Sequence, residues 1–578
     1  MDKFKHYLRT KYSHLVIWLF IPVSIITSFS HHRWVNPESV IDWDVKSYYA
    51  YLPAAFIHGD LTLSFIDENP QEYYKWFWPV TTPTGKRCIV TSMGMSVLYS
   101  PFFFIAHLIA HVGGYPTDGY SMPYAFALHF SALFYLIAGL FFLRKLLRKF
   151  FGETTVLITL IAVYAGTNLF YYANYAAAMS HCHNFALISI FIYYADKWHC
   201  RQSIKLTIAL GLLSGLIALI RPTNILVLVL FALWGVGSLS SLKERTVFFI
   251  KHYKLVLLMV LFFFLVWSPQ FVYWKYVSGK FLYFSYSGLD GRFYWLNPQI
   301  FDILLSYRKG WWVYTPLMFI ATLGIIVMAI KMRKYYLGVL VFLLINIYVQ
   351  ASWWCWWFGG SFGLRAFIDS YGIMAIPFAA LVQYCLSSRV KTALVVIITG
   401  SLTWYNTFQV KQLNKQALHY WWMSKDAYWM NFLKTGPRPE YWEKVPVPDY
   451  PKARQGIYVA KNLITRFDGY KNIRVEPGPI VEEIKRSVVP AKKHKKLADK
   501  HNISVDSVLT IEAWNIYERK SSLDKYIRPL VAARIADSLL KDTLYLDASV
   551  QNWQQLTEPG LKTILLEKAL EQIKNEKF

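Results

Sequence analysis

Apolar runs of bilayer length recur along the first 410 residues of this 578-residue chain, and nothing else in the sequence limits its fold so strongly. A backbone crossing hydrocarbon has to satisfy its own polar groups, so a series of such runs means helices packed side by side. Hydrophobic residues make up 55% of the chain and aromatic residues 18%. The predicted fold is all-α: a polytopic transmembrane helix bundle followed by a soluble helical region.

Candidate spans fall at 14–30, 123–143, 154–173, 183–198, 205–220, 223–239, 254–275, 312–330, 337–352, 369–386 and 392–410, about eleven in all. The first is read as a retained span, with a signal peptide cleaved near Ser28-Phe29-Ser30 as the alternative. The run Met93 to Val112 is treated as interfacial or re-entrant, because Pro101, His107 and His111 interrupt it. With that choice, the basic clusters at 144–149, 243–254, 331–334 and 389–391 all fall on one side, the inside by the positive-inside rule. The predicted protein is therefore multi-pass, in the inner (cytoplasmic) membrane, with its N-terminus cytoplasmic and its C-terminus periplasmic or extracytoplasmic.

Net charge is +26, yet from Glu440 onward 24 Lys and Arg face 19 Asp and Glu, a net of +5, which leaves +21 on residues 1–439. The excess lies mainly in loops beside spans and calls for no nucleic-acid partner. Five scattered cysteines without CxxC spacing suggest neither a disulfide framework nor a zinc site, and no cofactor is implied.

Three regions follow. Residues 1–410 form the membrane domain, with 31–122 as a large outer loop carrying interfacial helices. Residues 411–439 form an aromatic surface helix over 411–435 and a proline-rich linker. Residues 440–578 form a soluble, mostly helical region, with helical patterns at 480–500, 505–519, 524–540 and 560–577.

On this topology the chemistry gathers on the outer face. In IDWDVKSYYAYLP, Asp42 and Asp44 stand just outside a span and are followed by Tyr48 and Tyr49. Carboxylates at that depth are costly unless they pair or react, and one held at the membrane surface can take the proton from a hydroxyl acceptor. Asp44 as a helix N-cap is the structural alternative. Lys86, Arg87, Arg221, Arg308, Lys309 and Arg365 are candidates to bind a donor phosphate. Against that role, Arg221 suits a snorkelling span terminus, and Arg365 is spaced to pair with Asp369 four residues on. Trp354 and Trp357, in the turn SWWCWWFGGSFG, offer surfaces for sugar or prenyl chains, or form part of an interfacial tryptophan belt. His181 and His183, with Tyr48, Tyr49 and Asp369, are candidates for substrate contact, and the spacing of the two histidines without nearby carboxylates is weak for metal.

The stretches DVKSYYAYLP, TSMGMSVLYSPFFFIAH, RPTN, SYRKGWWVYTP and WWFGGSFGLRAFID, in this order, resemble the GT-C superfamily of membrane glycosyltransferases. In particular they resemble the bacterial relatives of protein O-mannosyltransferases and of the lipid A aminoarabinose transferase. The resemblance covers most of residues 1–410. It implies transfer of a sugar from an undecaprenyl-phosphate-type lipid-linked donor to a hydroxyl-bearing acceptor at the outer membrane face, usually with inversion, and Asp44 as the base. The Asp-Glu pair typical of the O-mannosyltransferases is missing from the first loop unless Asp67-Glu68 serves. Two other functions compete: a transporter or flippase of lipid-linked sugars, and a membrane scaffold displaying its C-terminal helices.

Overall fold

The computed structural model describes residues 11–286, 291–438 and, with short gaps, 441–462, together with single positions at 495, 499, 504, 505 and 509. It separates into two units, residues 1–445 with 452–458, and residues 446–451 with 459–578. In the second unit the described part is an antiparallel pair, Pro446–Pro448 against Ala460–Asn462. Apart from single helical positions, the helices expected at 480–500, 505–519, 524–540 and 560–577 lie outside the described residues.

The first unit is mostly helical, with almost no sheet. Its main helices are α1 (Tyr12–Phe29), the short α2 (Asp44–Tyr49) and α3 (Tyr51–Phe56), then α4 (Gly94–Val112), α5 (Met122–Leu147) and α6 (Glu153–Ala165), with a single helical turn at Pro70–Tyr73 between α3 and α4. They continue with α7 (Leu169–Asn174), α8 (His181–Cys200), α9 (Ile204–Ile220), α10 (Val227–Leu233), α11 (Leu239–Lys251) and α12 (Tyr253–Ser278). The last are α13 (Ile300–Leu305), α14 (Trp311–Tyr314), α15 (Pro316–Lys331), α16 (Arg333–Ser352), α17 (Tyr371–Cys385), α18 (Arg389–Asn414) and α19 (Lys425–Met430). A small hairpin pairs Pro79–Thr81 with Arg87–Ile89 in the loop before α4.

Among the described residues, six helical segments are long and apolar enough to cross a membrane: α1, α4, α5, α12, α16 and Arg365–Cys385. Four more apolar helical segments are shorter, at Glu153–Ala165, Ile204–Ile220, Pro222–Leu233 and Pro316–Lys331. Segments expected as single helices are interrupted. The 154–173 run breaks at Gly166, and the 223–239 run divides into a 3-10 turn at Pro222–Leu226 and α10, ending where Trp234 turns extended and Gly235 takes φ +82°. The aromatic helix expected over 411–435 is not formed. Instead α18 runs on to Asn414, Gln416 and Leu433 adopt positive φ, and the His419 ring accepts the N–H groups of Trp421 and Trp422. Only α19 is helical there, capped by the Ser424 hydroxyl.

Segment Arg365–Cys385 is the hub, with 89% of its apolar window buried, whereas α12 lies on the outside with 11% buried. Small residues set the contacts. Gly211 and Gly215, four apart on α9, leave room for α12; a methyl on either would lie 2.6 Å or 2.8 Å from the carbonyl oxygens of Met259 and Phe263. Close backbone approach of this kind is how helices associate where no hydrophobic force distinguishes protein from lipid.

Polar contacts cluster at the two ends of the bundle. At one end Arg144 and Arg148 pair with Glu153, Lys149 pairs with Asp196, and the Trp234 indole donates to Asp196. At the other, Asp369 just before α17 meets His181 at the start of α8 and Arg221 at the end of α9, and Arg365 meets Asp44 of the 31–93 loop. Helix α4 packs along only the first half of α5, from Leu98 against Tyr135 to His107 against Tyr124. It does not extend to Glu153.

In the 31–93 loop Asp60 accepts from the N–H and hydroxyl groups of both Thr62 and Ser64. Partial burial alone would raise its pKa, but these four bonds hold it down to about 2. A depressed carboxyl stabilises the fold above its ordinary pKa and loses that contribution as pH falls toward the folded value. Asp60→Ala is expected to cost about 1 kcal/mol at pH 7, after discounting for solvent screening, and almost nothing near pH 2. Unfolding of both proteins at the two pH values checks this.

Candidate active site

Residues 42–45 form a tight turn closed by the Val45 N–H bonding the Asp42 carbonyl at 3.0 Å, and Asp44, its third residue, opens α2. Trp43 holds φ +47° and ψ −129°, the geometry of the first central residue of a type II′ turn, where glycine is the usual occupant. For a tryptophan this conformation costs on the order of 1–3 kcal/mol, so surrounding contacts have to enforce it. Asp42 accepts the Trp43 N–H at 2.8 Å and pairs with Lys46 at 3.5 Å, so it serves its own turn.

Asp44 makes no capping bond; its carboxylate pairs with Arg365 at 2.9 Å. Its side chain is 36% exposed against 17% for Arg365, so the pair opens to the outside. The pairing suggested by spacing, Arg365 with Asp369, does not form. Residues 365–370 are a 3-10 turn, in which a separation of four falls about 120° away rather than on one face.

Asp369 serves a different arginine. It is buried and faces four donors: Asn224 at 2.8 Å, the His181 ring nitrogen Nδ1 at 3.1 Å, Asn184 at 3.2 Å and Arg221 at 3.4 Å. Behind it a cavity of about 10 Å3, lined by Asn224, Asn346, Thr223 and Ser370, is the size of one water molecule. Arg221 is thus held at the end of α9 by a buried carboxylate, and its guanidinium lies 6.0 Å from the Phe358 ring. Close packing of Gly94 on the backbone of Leu219 and Ile220, with the Ser92 hydroxyl bonded to the Leu219 carbonyl, fixes that helix end against the end of the 31–93 loop.

Tyr48, one turn after Asp44, is buried among Asp44, Arg221, Arg365 and Ser180. Burial, followed by the Asp44 charge, pushes its phenol pKa up, so it stays a neutral hydrogen-bonding group. Tyr286 lies within reach of the same charges. Asp44, Arg365 and Arg221 around Tyr48, with Asp369 holding Arg221 from behind, make the core of the site.

The remaining candidates lie around or away from this core. The Arg308 guanidinium covers the rings of Trp356 and Trp357 at 5.8 and 5.1 Å, and Arg454 covers Trp354 at 5.3 Å. Trp354 and Trp357 are buried under these cations, so they back the site instead of forming an open platform. Lys309, 1% exposed, donates to the carbonyls of Ser361 and Tyr420 and joins the aromatic turn to the 419–422 loop. Burial, reinforced by the charges of Arg365 and Arg308, pushes its ammonium well below the usual lysine range. Lys309→Met is expected to destabilise the protein by about 2 kcal/mol, because it strands the Ser361 carbonyl and leaves the Tyr420 carbonyl with only the Ser361 N–H; this is read as a lower thermal midpoint.

His183 points away from the site, because a separation of two on a helix turns the side chain by about 200°. Its ring contacts Ser131 at 3.0 Å and the Met179 carbonyl at 3.3 Å. Tyr49 is a core residue bonded to the Gly119 carbonyl at 2.6 Å. Lys86 contacts the Tyr276 carbonyl at 3.2 Å, and Arg87 grips Asp67 with both amino groups at 2.8 and 2.5 Å. Neither touches the Asp44 cluster, and Asp67 is committed to Arg87.

Among the described residues no group of three or more His, Cys, Asp or Glu side chains is placed to hold a metal ion. Asn184, Asn224, Ser180 and Tyr286 join the site without having been singled out in the sequence. Asn224 sits in the RPTN turn, where a polar residue directly after an apolar run is the one available signal. No protein-family model matches the chain, and no curated protein matches it significantly.

Proposed function

We propose that the protein is a membrane glycosyltransferase of GT-C type that moves a sugar from a polyprenyl-phosphate donor to a hydroxyl acceptor on the outer side of the inner membrane, with inversion. The observation that carries this reading is the Asp44–Arg365 pair at 2.9 Å, open to the outside, with the anchored Arg221 beside it around Tyr48. Asp44 takes the acceptor proton as the acceptor oxygen bonds to the anomeric carbon and the bond from that carbon to the phosphate oxygen breaks. Arg365 and Arg221 receive the charge gathering on the departing polyprenyl phosphate, a task suited to fixed guanidiniums that need no reorganisation during reaction.

In this reading about eleven spans form the bundle, with α4 along the outer interface. The end rich in Arg144, Arg148 and Lys149 faces the cytoplasm, and the site faces the periplasm or its equivalent. Deleting the gene in its host is expected to raise the level of one lipid-linked sugar and to remove that sugar from a surface glycan, lipid or protein. Mass spectrometry of both pools checks this; if neither pool changed, the reading would fail.

A further inference from the structure

We propose that Trp43, flanked by Trp78 and Trp421, forms a saccharide-binding subsite at the mouth of the Asp44 site, stacking a pyranose ring of the sugar acceptor. The inference rests on the function proposed above and adds the acceptor's chemical class. Three sequence-distant segments bring these indoles together: the 42–45 turn, the segment before the Pro79–Thr81 strand, and the 419–422 loop. The Trp43 ring meets Trp78 at 5.9 Å and Trp421 at 5.7 Å, both edge to face. Trp43 is 55% exposed and Trp78 48%. Gly360 leaves room for Tyr420, the residue before the third indole, since a methyl there would lie 3.1 Å from the Tyr420 ring.

The backbone at Trp43 distinguishes this cluster from an ordinary headgroup belt. A belt tryptophan needs only an interfacial ring, and any relaxed backbone can supply one. Here an indole occupies a turn position suited to glycine, immediately before the proposed base, and still shows more than half its surface to the outside. Strained non-glycine residues of this kind gather where a side chain has to be held for a ligand. A pyranose presents C–H groups on one face and hydroxyls at its rim. An indole face matches the former and leaves the latter directed at the neighbouring carboxylate.

The turn geometry also supplies a clean test. Trp43→Gly removes the ring while placing in the turn the residue its conformation favours, so the thermal midpoint is expected to hold or rise. The full-length protein in nanodiscs is titrated with two probes: a panel of neutral and N-acetylated oligosaccharides, and a polyprenyl-phosphate hexose. Wild type is expected to bind at least one free oligosaccharide, and Trp43→Gly to bind it about tenfold more weakly. Asp44→Asn is expected to retain this binding while losing transfer. If no free oligosaccharide binds wild type, if only the lipid-linked hexose depends on Trp43, or if Trp43→Gly binds as tightly as wild type, the acceptor subsite is overturned. If Trp43→Gly loses saccharide binding while Asp44→Asn keeps full transfer, the subsite stands and the proposed catalytic base falls.

Discussion

Asp44→Asn is expected to lower turnover by at least about a hundredfold while leaving the protein folded, because a positioned general base commonly contributes that much or more. The stability side of the expectation follows from exposure. The Asp44–Arg365 pair is part-exposed, at 36% and 17%, and such pairs contribute about 0–1 kcal/mol. The asparagine carbonyl still accepts from Arg365, so the thermal midpoint should move little. Donor binding should persist, since the guanidiniums remain. Turnover of purified protein, read beside its unfolding curve, separates lost chemistry from lost structure. An Asp44→Asn protein that turns over at the wild-type rate would remove Asp44 from the mechanism.

Asp369→Ala should show the opposite signature, a large loss of stability. Its carboxylate is buried and faces Asn224, His181, Asn184 and Arg221, so truncation leaves four polar groups without their acceptor, one of them a cation. Breaking a buried charged pair from one side costs about 3–5 kcal/mol, and a stable Asp369→Ala protein would mean that Arg221 is held by something else. Asp369→Asn keeps the shape but offers an amide to donors, so an intermediate loss is expected. Detergent-solubilised thermal unfolding checks both variants. In Asp369→Asn the freed Arg221 should also raise KM for donor more than it lowers kcat, a split that loss of fold alone does not produce.

Much of the architecture was legible in the first 410 residues because lipid leaves a chain few options: apolar runs become helices, and charges collect at their ends. Where the helices break was less legible. Gly166 and Gly235 interrupt segments whose composition alone reads as continuous, and hydropathy does not register a change of backbone conformation. At the site, Asp44, Arg221 and Arg365 stood out because ionised groups beside spans are expensive. Their pairing did not, since a spacing of four joins Arg365 to Asp369 only in an α-helix, and these residues form a 3-10 turn. The same holds for Trp354 and Trp357, whose burial under Arg454 and Arg308 depends on loops far away in sequence. Trp43 was hidden for another reason: composition carries no mark of a positive φ at a residue other than glycine.

The most direct test of the account is to supply the purified protein, in nanodiscs, with a polyprenyl-phosphate hexose of known anomeric configuration and a saccharide acceptor, and to read the product by NMR. The account predicts consumption of the donor, release of polyprenyl phosphate and a glycosidic bond of inverted configuration, all absent with Asp44→Asn. A product of retained configuration would contradict it. So would a donor that crosses the bilayer of sealed vesicles without forming any glycosidic bond.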